Sequence, residues 1–164
     1  MNTKFKTGES VGTYIAEAPL TEADILTMAQ QLARRRFRKG QPLQHPKAVF
    51  SHLQILLQDH EQEVFALLLL DNKHRIIRFQ ELFRGTLDTT CVYAREVVKF
   101  ALSYNAAAVI LVHNHPSGDP QPSQADYALT TTLKQALELV GMRTLDHIIV
   151  GGEGCVSLAE QGYL

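Results

Sequence analysis

Hydrophobic residues recur along this chain with two periods, and the switches between them predict alternating helices and strands. After Thr21, the apolar positions Ile25, Leu26, Met28, Ala29, Leu32 and Ala33 return every three or four residues, as one face of a helix requires. Thr21 with Asp24 three residues on is a capping-box signature for its start, and Gly40 and Pro42 end it. Residues 1–20 show no clear period and read as loosely held. A second helix is expected from Pro46, a favourable first-turn residue, with Val49, Phe50, Leu53, Leu56 and Leu57 on its core face. Val64–Leu70 is an unbroken apolar run of strand length. A turn at Asp71-Asn72-Lys73 returns the chain as a second strand over 75–79, so the two read as a hairpin. Gly85 then breaks the pattern before a short extended piece over 87–92.

The helical period resumes over Ala94–Ser103, with Val97, Val98, Ala101 and Leu102 facing inward. Residues 107–112 are continuously apolar and read as a central strand, followed by a polar loop rich in Pro and Gly over 113–122. The next helix is expected over 123–140, with Ala125, Leu129, Leu133, Ala136, Leu137 and Val140 as its stripe and Gly141 as its stop. A last strand over 146–150 leads into a glycine-rich turn. A hairpin embedded in an alternation of strands and helices predicts an α/β (α+β) fold, a mixed β-sheet flanked by helices. Residues 1–43 read as an N-terminal extension with one helix, and 44–164 as the main domain.

Composition changes this picture little. The chain has 164 residues, 45% of them hydrophobic, and a formal net charge of −1, so no global electrostatic attraction to nucleic acid is present. Residues 34–39 hold five basic side chains around Phe37, the one feature that favours DNA; the same cations also suit the negative end of a helix dipole. No apolar run approaches the roughly 20 residues that span a bilayer, and residues 1–12 lack the apolar centre of a signal peptide. The two cysteines, Cys91 and Cys155, read as reduced thiols rather than a disulfide. The expectation is a soluble cytoplasmic protein.

The chemistry concentrates in residues 113–126. His113 and His115 stand two apart at the end of an apolar strand, so their imidazoles point to one face. Asp126 falls in the first turn of the next helix, where its carboxylate can turn back to the strand end. Two imidazoles and a carboxylate make three protein ligands, the usual complement of a catalytic zinc. A plainer account stands beside this one: Ser123 and Asp126 also form a capping box that needs no metal.

The spacing resembles the JAMM (MPN/JAB) metalloprotease motif: His-x-His, seven residues, Ser, two residues, Asp. Here seven residues, Pro116 to Pro122, separate His115 from Ser123, and Asp126 lies three further on. Within that superfamily the chain resembles the RadC-like branch, through residues 113–120 (HNHPSGDP), Pro122-Ser123, Arg95-Glu96-Val97, Gly85-Thr86 and residues 145–149 (LDHII). The resemblance covers about residues 45–164. It implies an MPN/JAB (cytidine deaminase-like) α-β-α sandwich, one zinc ion on His113, His115 and Asp126, and hydrolysis of an amide in a peptide or protein substrate. It also implies a glutamate general base from an earlier strand. Glu63, just before the run Val64–Leu70, has a matching Glu-x-Phe-x-Leu context; Glu81 and Glu96 are the alternatives, and Glu61 is a solvated charge. Ser123 matches the serine that steadies the oxyanion or orients the metal's water.

Asp146 and His147 read either as partners behind a ligand imidazole or as a structural pair, whereas His45, His52, His60 and His74 read as uninvolved. The competing reading is a DNA-repair-associated protein that binds DNA or a partner, with a structural or vestigial metal. The helix-hairpin-helix-like segment of larger RadC-like proteins finds no match in 1–43, which lack its glycine pattern, so DNA binding does not carry over from it. A two-metal nuclease would want more carboxylates than the single nearby Asp119.

Overall fold

The structure, a computed structural model, describes residues 4–43, 46–85 and 92–164. Two short strands open it, β1 (Phe5–Thr7) and β2 (Tyr14–Ala16), paired antiparallel. Residues 1–20 therefore contain a small hairpin where no order was expected; strands this short display no period. Lys4 reaches Asp24 at 2.7 Å and ties the hairpin to the first helix. That helix, α1 (Glu22–Arg36), starts at the anticipated Thr21–Asp24 capping box. Met28 and Ala33 are its buried positions, with Phe37 buried at its C-cap, whereas Ile25 and Leu26 are exposed, contrary to the expected stripe.

The main sheet has the order β4-β3-β5-β6-β7. Its strands are β3 (Val64–Leu70), β4 (Ile76–Arg84), β5 (Ala108–Asn114), β6 (Arg143–Val150) and β7 (Cys155–Ser157). Only β5 and β6 run parallel; the other neighbours are antiparallel, so the sheet is mixed as expected. Three strands outrun their expected limits. β4 continues past residue 79 because β3 offers a partner along its whole length, up to Val64 opposite Arg84. The polar residues of that stretch are tolerated on an edge strand. β5 runs on to Asn114, and β6 begins at Arg143. The extended piece expected over 87–92 lies, except for Val92, outside the described residues, as do Thr86, Cys91 and His45.

Side chains of even and odd number leave the central strands on opposite faces. On one face Ala66, Leu68, Leu70, Ala108, Ile110 and Val112 pack under α2 (Pro46–Leu57) and the end of α1, where Phe37 stacks on Phe79 at 5.3 Å. On the other face Phe65, Leu67, Leu69, Val109 and Leu111 pack under α3 (Ala94–Ser103) and α4 (Gln124–Glu138). Helices thus cover both faces, and every residue of β3 is buried. α3 matches its expected limits, though Leu102 faces solvent. α4 is turned relative to its expected stripe: the buried residues are Asp126, Thr130, Leu133 and Leu137, while Ala125 and Val140 are exposed. Two polar side chains on the inward line of α4 are what this rotation delivers to the sheet. No described helix is long and apolar enough to cross a membrane.

Candidate metal centre

The centre lies where β5 ends under the first turn of α4. His113 belongs to the odd-numbered face of β5, opposite Phe65 of β3 and Ile149 of β6. His115 follows the strand, and its N–H still donates to the carbonyl of Val150 at 2.8 Å, which prolongs the parallel ladder and keeps both imidazoles on one face. The chain then turns through Gly118 and Pro120 into Ser123, the N-cap of α4. Gly151 permits this turn to lie against β6: a β-carbon there would collide with the carbonyl oxygen of Gly118 and with Pro120. Gly152 donates to that same carbonyl at 2.8 Å.

Ser123 and Asp126 form a complete capping box. Asp126 Oδ2 accepts from the backbone N–H of Ser123 at 2.7 Å and from its hydroxyl at 2.6 Å, while the Asp126 N–H donates to Ser123 Oγ at 3.2 Å. The carboxylate so held faces His113 Nε2 at 3.1 Å and His115 Nε2 at 3.5 Å. The two Nε2 atoms are 3.0 Å apart. Among the described residues, His113, His115 and Asp126 form the group able to hold a metal ion, with donor atoms within 4.8 Å of one another.

The proton inventory tests whether this set fits a cation. His115 Nδ1 lies 2.8 Å from the carbonyl oxygen of Asp119, which can only accept, so the ring hydrogen is on Nδ1 and Nε2 presents a lone pair. That lone pair and an anionic carboxylate converge on one point together with His113 Nε2. Such a cluster needs a positive charge at its centre, either a proton or a metal ion. Burial opposes ionisation of Asp126, but the nearby His113 and His115 and the hydrogen bond from Ser123 prevail and hold its carboxyl far below the ordinary range. The neighbouring Asp126 carboxylate raises the pKa of His115 against the cost of burial, with the Asp119 carbonyl and the charge of Glu63 adding to the rise. Two imidazole nitrogens and one carboxylate oxygen, with His115 partly open to solvent, match a site with three protein ligands and an accessible further position.

The other candidates separate by position. Glu63 precedes Val64, and its carbonyl accepts from Gly85 N–H at 2.8 Å. Glu63 lies two residues before Phe65, which pairs with His113, and its charge is felt at His115. Glu81 pairs instead with Arg84 at 2.8 Å and lies 3.8 Å from His60 Nε2. Glu96 is on α3 beside Arg95 and Lys99. Glu61 is exposed, and His52, His60 and His74 fall outside the three-residue group. Asp119 contributes its carbonyl to His115, while its carboxylate accepts from Gln121 N–H at 3.0 Å. The expected pair Asp146–His147 divides. Asp146 binds the N–H groups of His147 and Ala159 and the hydroxyl of Ser157, holding the C-terminal segment. His147 turns to the centre, its Nε2 2.8 Å from His113 Nδ1. Burial, aided by the neighbouring His113, pushes its pKa well below the ordinary histidine value.

Two contributors were not singled out from sequence. Asn114, between the two histidines, is buried, and its Oδ1 accepts from Val64 N–H at 2.7 Å. Its amide donates to the carbonyl of Gln62 at 3.2 Å, so it holds the segment that carries Glu63. Thr130 is fully buried one turn after Asp126. Its signal is a polar residue four positions after Asp126, on the line that continues to Leu133 and Leu137. Cys155, whose thiol burial pushes up to about 11, contacts the Phe50 carbonyl on the opposite face and takes no part.

The RadC-like JAB domain profile matches residues 43–163. The chain is 48% identical over 151 residues to a UPF0758 protein of Vibrio cholerae, covering 92% of this chain and 95% of that protein. It is 52% identical over 143 residues to a second UPF0758 protein of the same bacterium, 87% of this chain and 90% of that one. A UPF0758 protein of Aeromonas hydrophila is 49% identical over 140 residues, which are 85% of this chain but 62% of the longer relative. With a family profile across most of its length, a mixed sheet between two helical layers and a group able to hold a metal ion, the chain belongs to the RadC-like JAB domain family.

Proposed function

We propose that this domain is a zinc-dependent hydrolase of metallopeptidase or isopeptidase type, acting on a peptide or protein substrate. The observation that carries the proposal is the convergence of His113, His115 and Asp126, with Glu63 near enough for its charge to act on His115. Two nitrogens and a carboxylate oxygen suit zinc, which in catalytic sites takes three protein ligands and keeps a position open. When bound, the ion supplies Lewis acidity and brings the pKa of a water toward about 7. Glu63 takes a proton from water and returns it to the leaving amine. The Ser123 hydroxyl, which donates to Asp126, keeps the carboxylate oriented. On rotating away it can donate to the oxyanion of the substrate instead.

The test is hydrolysis of a peptide and isopeptide library by the zinc-loaded parent and by Glu63→Gln. The expected result is a loss of about 10²–10⁴-fold in rate with zinc retained. Equal activity of the two proteins, or no hydrolysis by the loaded parent, would contradict the proposal. A DNA-binding reading draws on Arg34 of α1 and on Arg78 and Arg84 of β4, which line one polar cleft with Glu81. Phosphate contacts weaken steeply with salt, so a titration without binding at low salt removes that reading.

A further inference from the structure

We propose that Thr130 and His147 form a proton-ordering relay that fixes the tautomer of His113 and leaves its Nε2 lone pair facing the metal position. The inference rests on the metal reading above and is carried by a count of hydrogens. The Asp126 carbonyl has none, and Thr130 Oγ1 lies 2.6 Å from it, so the hydroxyl donates to that carbonyl. Oγ1 then has only lone pairs for His147 Nδ1, also 2.6 Å away, so Nδ1 carries the hydrogen. His147 is fully enclosed and its two ring nitrogens meet a hydroxyl and an imidazole, not a carboxylate, so it is a neutral imidazole with one N–H, which leaves Nε2 as an acceptor. His113 Nδ1, 2.8 Å from it, is therefore the donor. The remaining nitrogen, His113 Nε2, presents its lone pair toward Asp126 at 3.1 Å and His115 at 3.0 Å.

The relay begins on the backbone of one ligand and ends on the ring of another. Its members are sealed from water: Thr130 and His147 are 0% exposed and His113 is 1% exposed. A solvent molecule therefore does not reorder the hydrogens if one member is lost. Within a helix, a threonine or serine hydroxyl bonded to the carbonyl four residues earlier is an ordinary local contact. What this chain adds is a buried imidazole on the other side of that hydroxyl. Thr130→Val preserves shape but removes the acceptor for His147 Nδ1–H. The hydrogen of His147 then moves to Nε2, where it points at His113 Nδ1 and drives the hydrogen of His113 onto the atom a metal needs. Thr130→Ser restores the acceptor. Thr130 and His147 are on this account positioning residues.

Two measurements on the full chain test the relay: zinc-ion titration of the parent, Thr130→Val and Thr130→Ser, and ¹⁵N imidazole spectra of the parent. The expected result is zinc affinity about tenfold to hundredfold weaker in Thr130→Val and near parental in Thr130→Ser. In the spectra, His147 should carry its hydrogen on Nδ1, with Nε2 unprotonated. A valine variant of lowered melting temperature but parental zinc affinity would reduce Thr130 to a packing role and overturn the proposal. So would a His147 protonated on Nε2. A parent that binds no zinc defeats the metal reading, and the spectra decide the tautomer even then, as they do if Thr130→Val fails to fold.

Discussion

Two helices in this molecule begin with the same four-residue device. Thr21-x-x-Asp24 opens α1 and Ser123-x-x-Asp126 opens α4, and both are complete capping boxes. In each, the aspartate accepts from the backbone N–H and the hydroxyl of its cap residue, at 2.9 and 2.8 Å in α1 and at 2.7 and 2.6 Å in α4. The boxes differ in what stands across from them. Asp24 faces Lys4, a cation that brings its own protons. Asp126 faces two imidazoles, and the Nδ1–H of at least one is committed elsewhere, to the Asp119 carbonyl. One aspartate meets a lysine, whereas the other meets two imidazoles in a cluster that can take up a cation. A capping motif thus becomes able to serve as a ligand through the imidazole nitrogens that meet it from the sheet.

If the facing residues make the difference, exchanging the aspartates separates the two boxes most widely. Asp126→Ala should abolish zinc uptake, from about one equivalent per chain to none, as should His113→Ala and His115→Ala. Asp24→Ala should leave the equivalent in place. Metal analysis of desalted protein reads both, and zinc retained by Asp126→Ala would erase the distinction. The supports around the second box come next. Asn114→Ala strands the buried N–H of Val64 and should cost about 1–3 kcal/mol in urea denaturation. It should also reduce hydrolysis more than zinc binding, since Asn114 holds the Glu63 segment and not the ligands. Gly151→Ala pushes on the Gly118–Pro120 turn that offers the Asp119 carbonyl, and should cost about 1–3 kcal/mol while weakening zinc. An unchanged zinc affinity there would mean that the turn does not govern His115. The smallest effect is the cap itself: Thr21→Ala and Ser123→Ala should each cost about 0.5–2 kcal/mol. Only Ser123→Ala should also loosen zinc, and a parallel loss in Thr21→Ala would mean that the effect is global instability.

Much of this was legible in the chain because it follows from period and spacing. The limits of β3 and α3 matched the hydrophobic runs, and the meeting of His113, His115 and Asp126 followed from two histidines on one strand face and an aspartate at a helix start. What stayed hidden depends on partners distant in sequence. Pairing with β3 decides the length of β4, and neither hairpin strand near the N-terminus is long enough to show alternation. The rotation of α4 was misjudged because its inward line mixes Asp126 and Thr130 with Leu133 and Leu137, so an apolar stripe locates the wrong face. His147 separates from Asp146 because neighbours on a strand point to opposite faces of the sheet. Asn114 escaped notice because its partners are Val64 and Gln62, about fifty residues earlier.

The most direct test of the metal centre is anomalous diffraction at the zinc edge from crystals of the full chain grown with zinc. The expected result is one strong peak, about 2.0–2.2 Å from His113 Nε2, His115 Nε2 and a carboxylate oxygen of Asp126. It should vanish in Asp126→Ala and persist in Asp24→Ala. No peak at that position, or a peak held by other residues with these three still bonded to one another, would contradict the account.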